Sequence, residues 1–177
     1  MIYDGTREIF SRYWNAYGGL CSLLKSPYLH LALLINIFTC HTWLHHGWWN
    51  IVLSILPNVM GFTLGGFAVF LAFGDERFRE VIINKEDDKP SLYLSLCANF
   101  LHFIIIQVSA IIYALAAKGL WFHVDNMPHI FESVAYTTTY VLWAFGYFLF
   151  IYAITSALAA AVQVFRLASW YEMHKNI

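Results

Sequence analysis

Residues 54–74 read S-I-L-P-N-V-M-G-F-T-L-G-G-F-A-V-F-L-A-F-G, and this stretch decides the fold. It carries no charge, and an uncharged apolar run of about 18 residues or more is a candidate membrane-crossing helix. Ser54, Asn58, Gly61, Gly65, Ala68 and Ala72 follow one another at alternating spacings of four and three. On a helix that spacing draws the small and polar side chains into one narrow stripe, with Gly66 beside it. Leu56, Val59, Phe67 and Phe70 occupy the opposite surface. The pair Gly61 and Gly65 has the spacing that lets two membrane helices cross closely. Pro57 removes one backbone donor and is expected to kink the helix, leaving the Leu53 carbonyl to the Asn58 amide or to water. Two readings follow for the stripe. It packs against a neighbouring helix of the same chain, or it is a self-association seam or pore lining between copies.

The rest of the chain repeats the pattern. No Asp, Glu, Lys or Arg lies between Lys25 and Asp75, between Lys89 and Lys118, or between Glu132 and Arg166. The first gap is long enough for two crossings, divided near His45, His46, Gly47 and Asn50. The expected fold is therefore all-α: an integral membrane bundle of four transmembrane helices with spans at about 28–47, 51–73, 92–117 and 138–163. Residues 1–27 precede that domain of 28–165, and 166–177 form a tail. Composition agrees: 60% of the 177 residues are hydrophobic and 12% charged, against about 45–50% and about 25% in soluble domains. The net charge of −1, without a basic patch, argues against a nucleic-acid surface. Asp4 and Glu8 stand where a signal peptide would carry basic and apolar residues, so the first span is expected to direct insertion.

With four spans, Arg7, Arg12, Lys25, Arg77, Arg79, Lys85, Lys89, Arg166 and Lys175 all fall on one side and only Lys118 on the other. Basic flanks stay cytoplasmic, so both termini are expected inside, in a cell inner membrane. Trp43, Trp48, Trp49, Trp170 and Tyr171 sit at span ends, the headgroup level that such rings prefer. Ahead of the first span, Ile9, Phe10, Tyr13, Trp14, Tyr17, Leu20 and Leu24 recur at helical spacing opposite Arg7, Glu8, Arg12 and Asn15. This is the pattern of an interfacial amphipathic helix. It reads as a membrane anchor or as a docking surface for a cytoplasmic partner, with Arg7, Arg12, Arg77 and Arg79 as the charged contacts. The inner connection at 75–90 mixes six acidic and four basic residues, as a solvated link does.

The third span places Asn99, His102 and Ser109 on a stripe with Ser95 and Tyr113, and the fourth has a small face at Gly146, Ala153, Ala157 and Ala160. Polar groups at these depths are expected to face protein or water. That fourth-span face is the expected partner of the second span within one subunit. His41 and His102 fall at similar expected depth on the first and third spans, which sets up an alternative: two ligands for a haem b, or a quinone pocket, in a redox protein. His102 is otherwise a candidate for a proton-sensitive gating role. The outer connection holds His123, Asp125, His129 and Glu132, ligand types that suit zinc at a spacing that matches no tight motif. Cys21, Cys40 and Cys97 form no C-x-x-C pair, so neither disulfide nor structural zinc is expected. No nucleophile elbow, zincin motif, P-loop or intramembrane carboxylate pair is present, so the chain is not expected to be an enzyme or a coupled ion transporter.

The segment from Pro57 to Phe67, Pro-Asn-Val-Met-Gly-Phe-Thr-Leu-Gly-Gly-Phe, continuing to Ala72-Phe73-Gly74-Asp75-Glu76, resembles part of small four-helix bacterial inner-membrane proteins. These include the membrane component of Kiwa-type anti-phage systems. The likeness covers about twenty residues and rests on glycine spacing. It implies a homo-oligomeric membrane sensor or effector working with a cytoplasmic partner protein, and it implies no catalytic residue. A plain membrane scaffold is the remaining reading.

Overall fold

The computed structural model describes residues 2–72, 82–83, 90–121 and 129–175 of the chain. Its helices, among the described residues, include α1 (Ile2–Tyr17), α2 (Gly19–Leu24), α3 (Pro27–Phe38), α4 (Cys40–Trp43), α5 (Trp48–Ala72), α6 (Leu92–Gly119) and α7 (His129–Lys175). Three helices are long and apolar enough to cross a membrane: Trp48–Ala72, Leu92–Gly119 and Val134–Met173 within α7. At about 1.5 Å per residue, the 25 and 28 residues of α5 and α6 reach about 37 and 42 Å, beyond a hydrocarbon core of about 30 Å.

The expected first span, 28–47, is not one helix. It is split into α3 and α4 at Thr39, whose φ of −96° and ψ of 19° leave the helical region. The cause is local. The Thr39 hydroxyl donates to the Ile35 carbonyl at 2.8 Å, and the Trp43 indole N–H donates to the Asn36 carbonyl at 2.9 Å. Side chains thereby satisfy carbonyls at the end of α3, and the helix can end inside apolar surroundings. Twelve residues of α3 rise only about 18 Å, too little to cross alone. Gly47 then adopts φ +96°, a left-handed turn that favours glycine, and the chain enters α5.

Helices α5, α6 and α7 pack on one another, while α3 lies on α7 and α1 on α6. The α3 contact is antiparallel. Thr155 of α7 donates to the Tyr28 carbonyl at 3.1 Å, and the Asn36 amide donates to the Ala144 carbonyl at 3.4 Å. So α3 begins beside the middle of α7 and runs toward its start. Helix α1 buries Tyr13 and Ala16 against Ala98, with Leu94 and Ile105 alongside. These residues line the first half of α6. The N-terminal segment therefore meets the bundle in two offset pieces.

The core divides by level. Trp48, Trp49, Val52, Leu56, Ala110, Ala114, Trp143 and Tyr147 fill one half. Phe70, Leu96, Phe100, Phe103, Ala159, Ala160 and Leu167 fill the other. Trp49, Trp121 and Trp143 touch pairwise, with ring centroids 5.3–6.1 Å apart. Trp48 and Trp49 are thus packed inside the protein, not displayed to lipid headgroups as expected. The buried polar side chains among the described residues are Thr63, His102, Gln107, Thr155 and Ser156. Each forms a hydrogen bond, as hydrocarbon burial demands.

Candidate functional site

Helix α5 has two packing faces in one seven-residue rhythm. Trp49, Val52, Leu56, Val59, Thr63, Gly66 and Phe70 alternate spacings of three and four, and all are buried or half-buried. This face meets α6 and α7. Ser54, Asn58, Gly61, Gly65, Ala68 and Ala72 keep the same rhythm, about 160° around the helix, and all are exposed, as is Pro57. A Cβ built on Gly61 or Gly65 meets nothing within 4 Å. Gly66, on the inner face, lies 3.9 Å from Val164 and 4.0 Å from Phe100 by the same construction.

Of the two readings of the small stripe, packing against a neighbouring helix of the same chain is therefore not what this subunit shows. The stripe points away from the bundle, because α6 and α7 take up the large side chains instead. The small face of α7 is the one inside: Gly146, Ala153 and Ala160 are buried. A Cβ on Gly146 would collide with the rings of Tyr113 and Trp48. Small residues on α7 thus receive large ones from α5 and α6.

Around Pro57 the polar groups bond within α5 itself. The Ser54 hydroxyl donates to the Ile51 carbonyl at 2.9 Å, and the Asn58 amide donates to the Ser54 carbonyl at 3.3 Å. The Asn58 amide is thus directed at Ser54, not at Leu53. Asn58 stands ten residues after Trp48, about 15 Å along the helix, so an exposed carboxamide sits deep in the expected membrane zone.

The polar interior is only partly the expected one. His102 is buried at 3% exposure, whereas Asn99 is half-buried and Ser109 is exposed. Serine and asparagine lie off the buried arc of α6, which runs through Leu96, Ala98, Phe100, His102, Phe103, Gln107, Ala110 and Ala114. Gln107 was missed. Its amide donates to the Thr63 hydroxyl at 2.9 Å, and that hydroxyl donates to the Val59 carbonyl at 3.1 Å. This joins α5 to α6 at full burial.

His102 sits at a junction of three helices. The Tyr13 hydroxyl lies 2.8 Å from Nδ1, and the Tyr152 hydroxyl lies 3.0 Å from Nε2. Tyr17 stacks on the ring with centroids 4.1 Å apart. Burial, and secondarily the neighbouring phenol of Tyr17, pushes the Tyr13 phenol up to about 12. Burial also raises Tyr17, and its hydrogen bond with Tyr152 partly offsets this.

The paired-histidine haem reading does not fit. Both nitrogens of His102 are engaged by tyrosine hydroxyls, and His41 is exposed at another level, its ring 4.6 Å from that of His45. Asn36 is level with Ala144 while His102 is level with Tyr152, about 12 Å along α7, and His41 lies beyond Asn36. Among the described residues no group of three metal-ligating side chains comes together. His123 and Asp125 lie outside the described residues, and the side chains of His129 and Glu132 are not described. Of the expected docking arginines, Arg7 and Arg12 are exposed on α1, and Arg77 and Arg79 fall outside the described residues.

No protein-family model, curated protein or solved structure matches this chain.

Proposed function

We propose that the protein is a homo-oligomeric, multi-pass membrane component that senses or alters the bilayer around it, with the outward face of α5 as its assembly seam. One observation carries this reading: a full-length stripe of glycine, alanine, serine and asparagine faces away from the subunit on a helix long enough to span. Lipid gives no reason for it. A lipid-facing surface gains from bulky apolar side chains, and hydrocarbon offers the Asn58 carboxamide nothing beyond the one bond its amide makes to Ser54 within α5. A second helix backbone gives both: close approach along Gly61 and Gly65, and carbonyls for Asn58.

The same reading extends to topology and partners. The N-terminal pieces α1 and α3–α4 follow opposite halves of the bundle, which supports an N-terminus on the side of the 73–91 connection; the basic residues at 7, 12, 25, 166 and 175 support a cytoplasmic location for both termini. Arg7 and Arg12, exposed on α1, are contacts for a cytoplasmic effector, and the sequence adds Arg77 and Arg79 as further charged contacts. The resemblance to the Kiwa-type membrane component supports a role in bacterial anti-phage defence, without catalysis.

The test is Gly61→Leu and Gly65→Leu in the full chain, purified into nanodiscs or mild detergent. The added side chains meet open space in the subunit, so its thermal midpoint stays within about 2 °C, while the assembly falls to smaller species by mass photometry. An assembly of unchanged size refutes the seam. Conductance in planar bilayers, lost in the same variants, separates a pore from a non-conducting sensor.

A further inference from the structure

Helix α1 is joined to the bundle differently from every other long helix. Of its described side chains only Tyr13 and Ala16 are buried, and residues 4–12 are all exposed. Two of its tyrosines attach it at His102. At its end, Gly18 and Gly19 adopt φ +95° and +64° in succession. Two consecutive left-handed residues make a joint that side-chain-bearing residues rarely form. A Cβ on Gly18 would also collide with the Ser22 hydroxyl.

The enclosure of His102 depends on that helix. From α1 come the hydroxyl on Nδ1 and the phenol ring covering one face. From α7 comes the Tyr152 hydroxyl on Nε2, and α6 adds the Phe103 edge. The titratable groups facing the ring are therefore Tyr13 and Tyr17 from α1 and Tyr152 from α7. Among the described residues no charged side chain is bonded to it.

We propose that α1 is a hinged strap whose docking is linked to a proton: it closes over His102 while the imidazole is neutral, and swings out about Gly18–Gly19 when the ring is protonated. The neutral ring has one N–H and one bare nitrogen, which suits two hydroxyls, one accepting and one donating. The imidazolium has two N–H groups and a positive charge that phenols do not neutralise. Such a charge needs water or a counter-charge. Of the walls around the ring, α1 is the one mounted on a joint. Whatever disfavours the charged ring in the closed state must, by reciprocity, disfavour the closed state once the ring is charged. Docking is therefore insensitive to pH well above the ordinary imidazole value of about 6.5 and weakens progressively below it. This inference holds whether or not copies assemble through α5.

The test places spin labels at Arg7 and Val108, both exposed and outside the junction, in the full chain in nanodiscs with Cys21, Cys40 and Cys97 replaced by Ala. Pulsed dipolar distances are read from pH 8 to pH 5. One short distance at pH 8, and a second, longer population that dominates reversibly at pH 5, is the expected result. His102→Gln retains a donor and an acceptor but cannot take the proton, so it stays closed throughout. A wild-type distance unchanged across the range overturns the proposal, and so does acid opening that persists in His102→Gln. If His102→Gln loses its helical signal, Tyr13→Phe decides. It keeps the imidazole and removes the bond to Nδ1, so opening moves to higher pH by about one unit. An unmoved midpoint overturns the linkage.

Discussion

Gly146→Ala adds one methyl group where the bundle has no room for it. The new Cβ would overlap the Tyr113 ring and the Trp48 ring. Neither ring is free to retreat. Trp48 is 2% exposed in the core, and Tyr113 is tethered by its hydroxyl to the Leu142 carbonyl at 2.9 Å. Relief requires α7 to move off α5 and α6, or both rings to leave their preferred rotamers. Overpacking of this kind costs about 1–3 kcal/mol, and alanine returns up to about 1 kcal/mol through its better helix propensity. The net expectation is a loss of about 1–2 kcal/mol, a five- to thirtyfold shift toward the unfolded state. Reversible unfolding in bicelles by titrated sodium dodecyl sulfate, followed by tryptophan fluorescence, reads this directly. Trp48 and Trp49 lie in the affected half of the core, so the probe is local as well as global. Gly61→Ala is the paired control: its Cβ meets nothing, and subunit stability holds or rises slightly. If Gly146→Ala unfolds at the wild-type midpoint within about 0.3 kcal/mol, the close approach at this position is wrong, and so is the packing of α7 against α5 described above.

Two further outcomes follow from the buried polar groups. Gln107→Leu is expected to change stability by less than about 1 kcal/mol in the same assay: the amide oxygen has no hydrogen-bond partner, and the Thr63 hydroxyl keeps its bond to Val59. Thr63→Val costs more, about 1–3 kcal/mol, since it strips the buried amide of its acceptor. In alkali, a phenol raised by burial favours the docked helix while it stays protonated. Contacts of Tyr13 are therefore intact from neutral pH up to about 10 and are lost as pH rises toward 12. A difference ultraviolet titration at 295 nm between wild type and Tyr13→Phe should place this phenol well above 10, and an ordinary titration near 10 contradicts its burial against α6.

Hydropathy and charge spacing were enough to locate α5, α6 and α7, since lipid burial leaves a signature in the average. They did not reveal the break in α3. Thr39, His41 and Trp43 are tolerated by a mean hydropathy, while the break comes from two side-chain bonds to specific carbonyls. The small stripe of α5 was legible as a seven-residue repeat, but not which face of the helix points inward. In water the more apolar face would settle that; inside a membrane bundle a large face and a small face can each be the packed one, and only the partner's shape decides. Here Gly146 decides, by taking the bulk of Trp48. His102 was legible as an interior group, yet Tyr13 lies 89 positions away in sequence and on a helix read as a membrane anchor. Gln107 stayed hidden as a single amide inside the run Phe103-Ile-Ile-Ile-Gln107.

The outer stripe of α5 is about 80° wide, the arc that Ser54 to Ala72 span at about 100° per residue. A strip that narrow accommodates one neighbouring helix. Copies inserted with the same orientation and meeting through it present identical surfaces to each other, about a two-fold axis normal to the membrane. Such a contact is complete at two. A ring would require each α5 to hold one neighbour on either flank, drawing in Phe62, which is 83% exposed, or Val69. In an assembly built on the proposed seam, the number of subunits would be set by the width of a face and not by its stickiness, and enlarging or trimming the residues that border it would be the way to change that number.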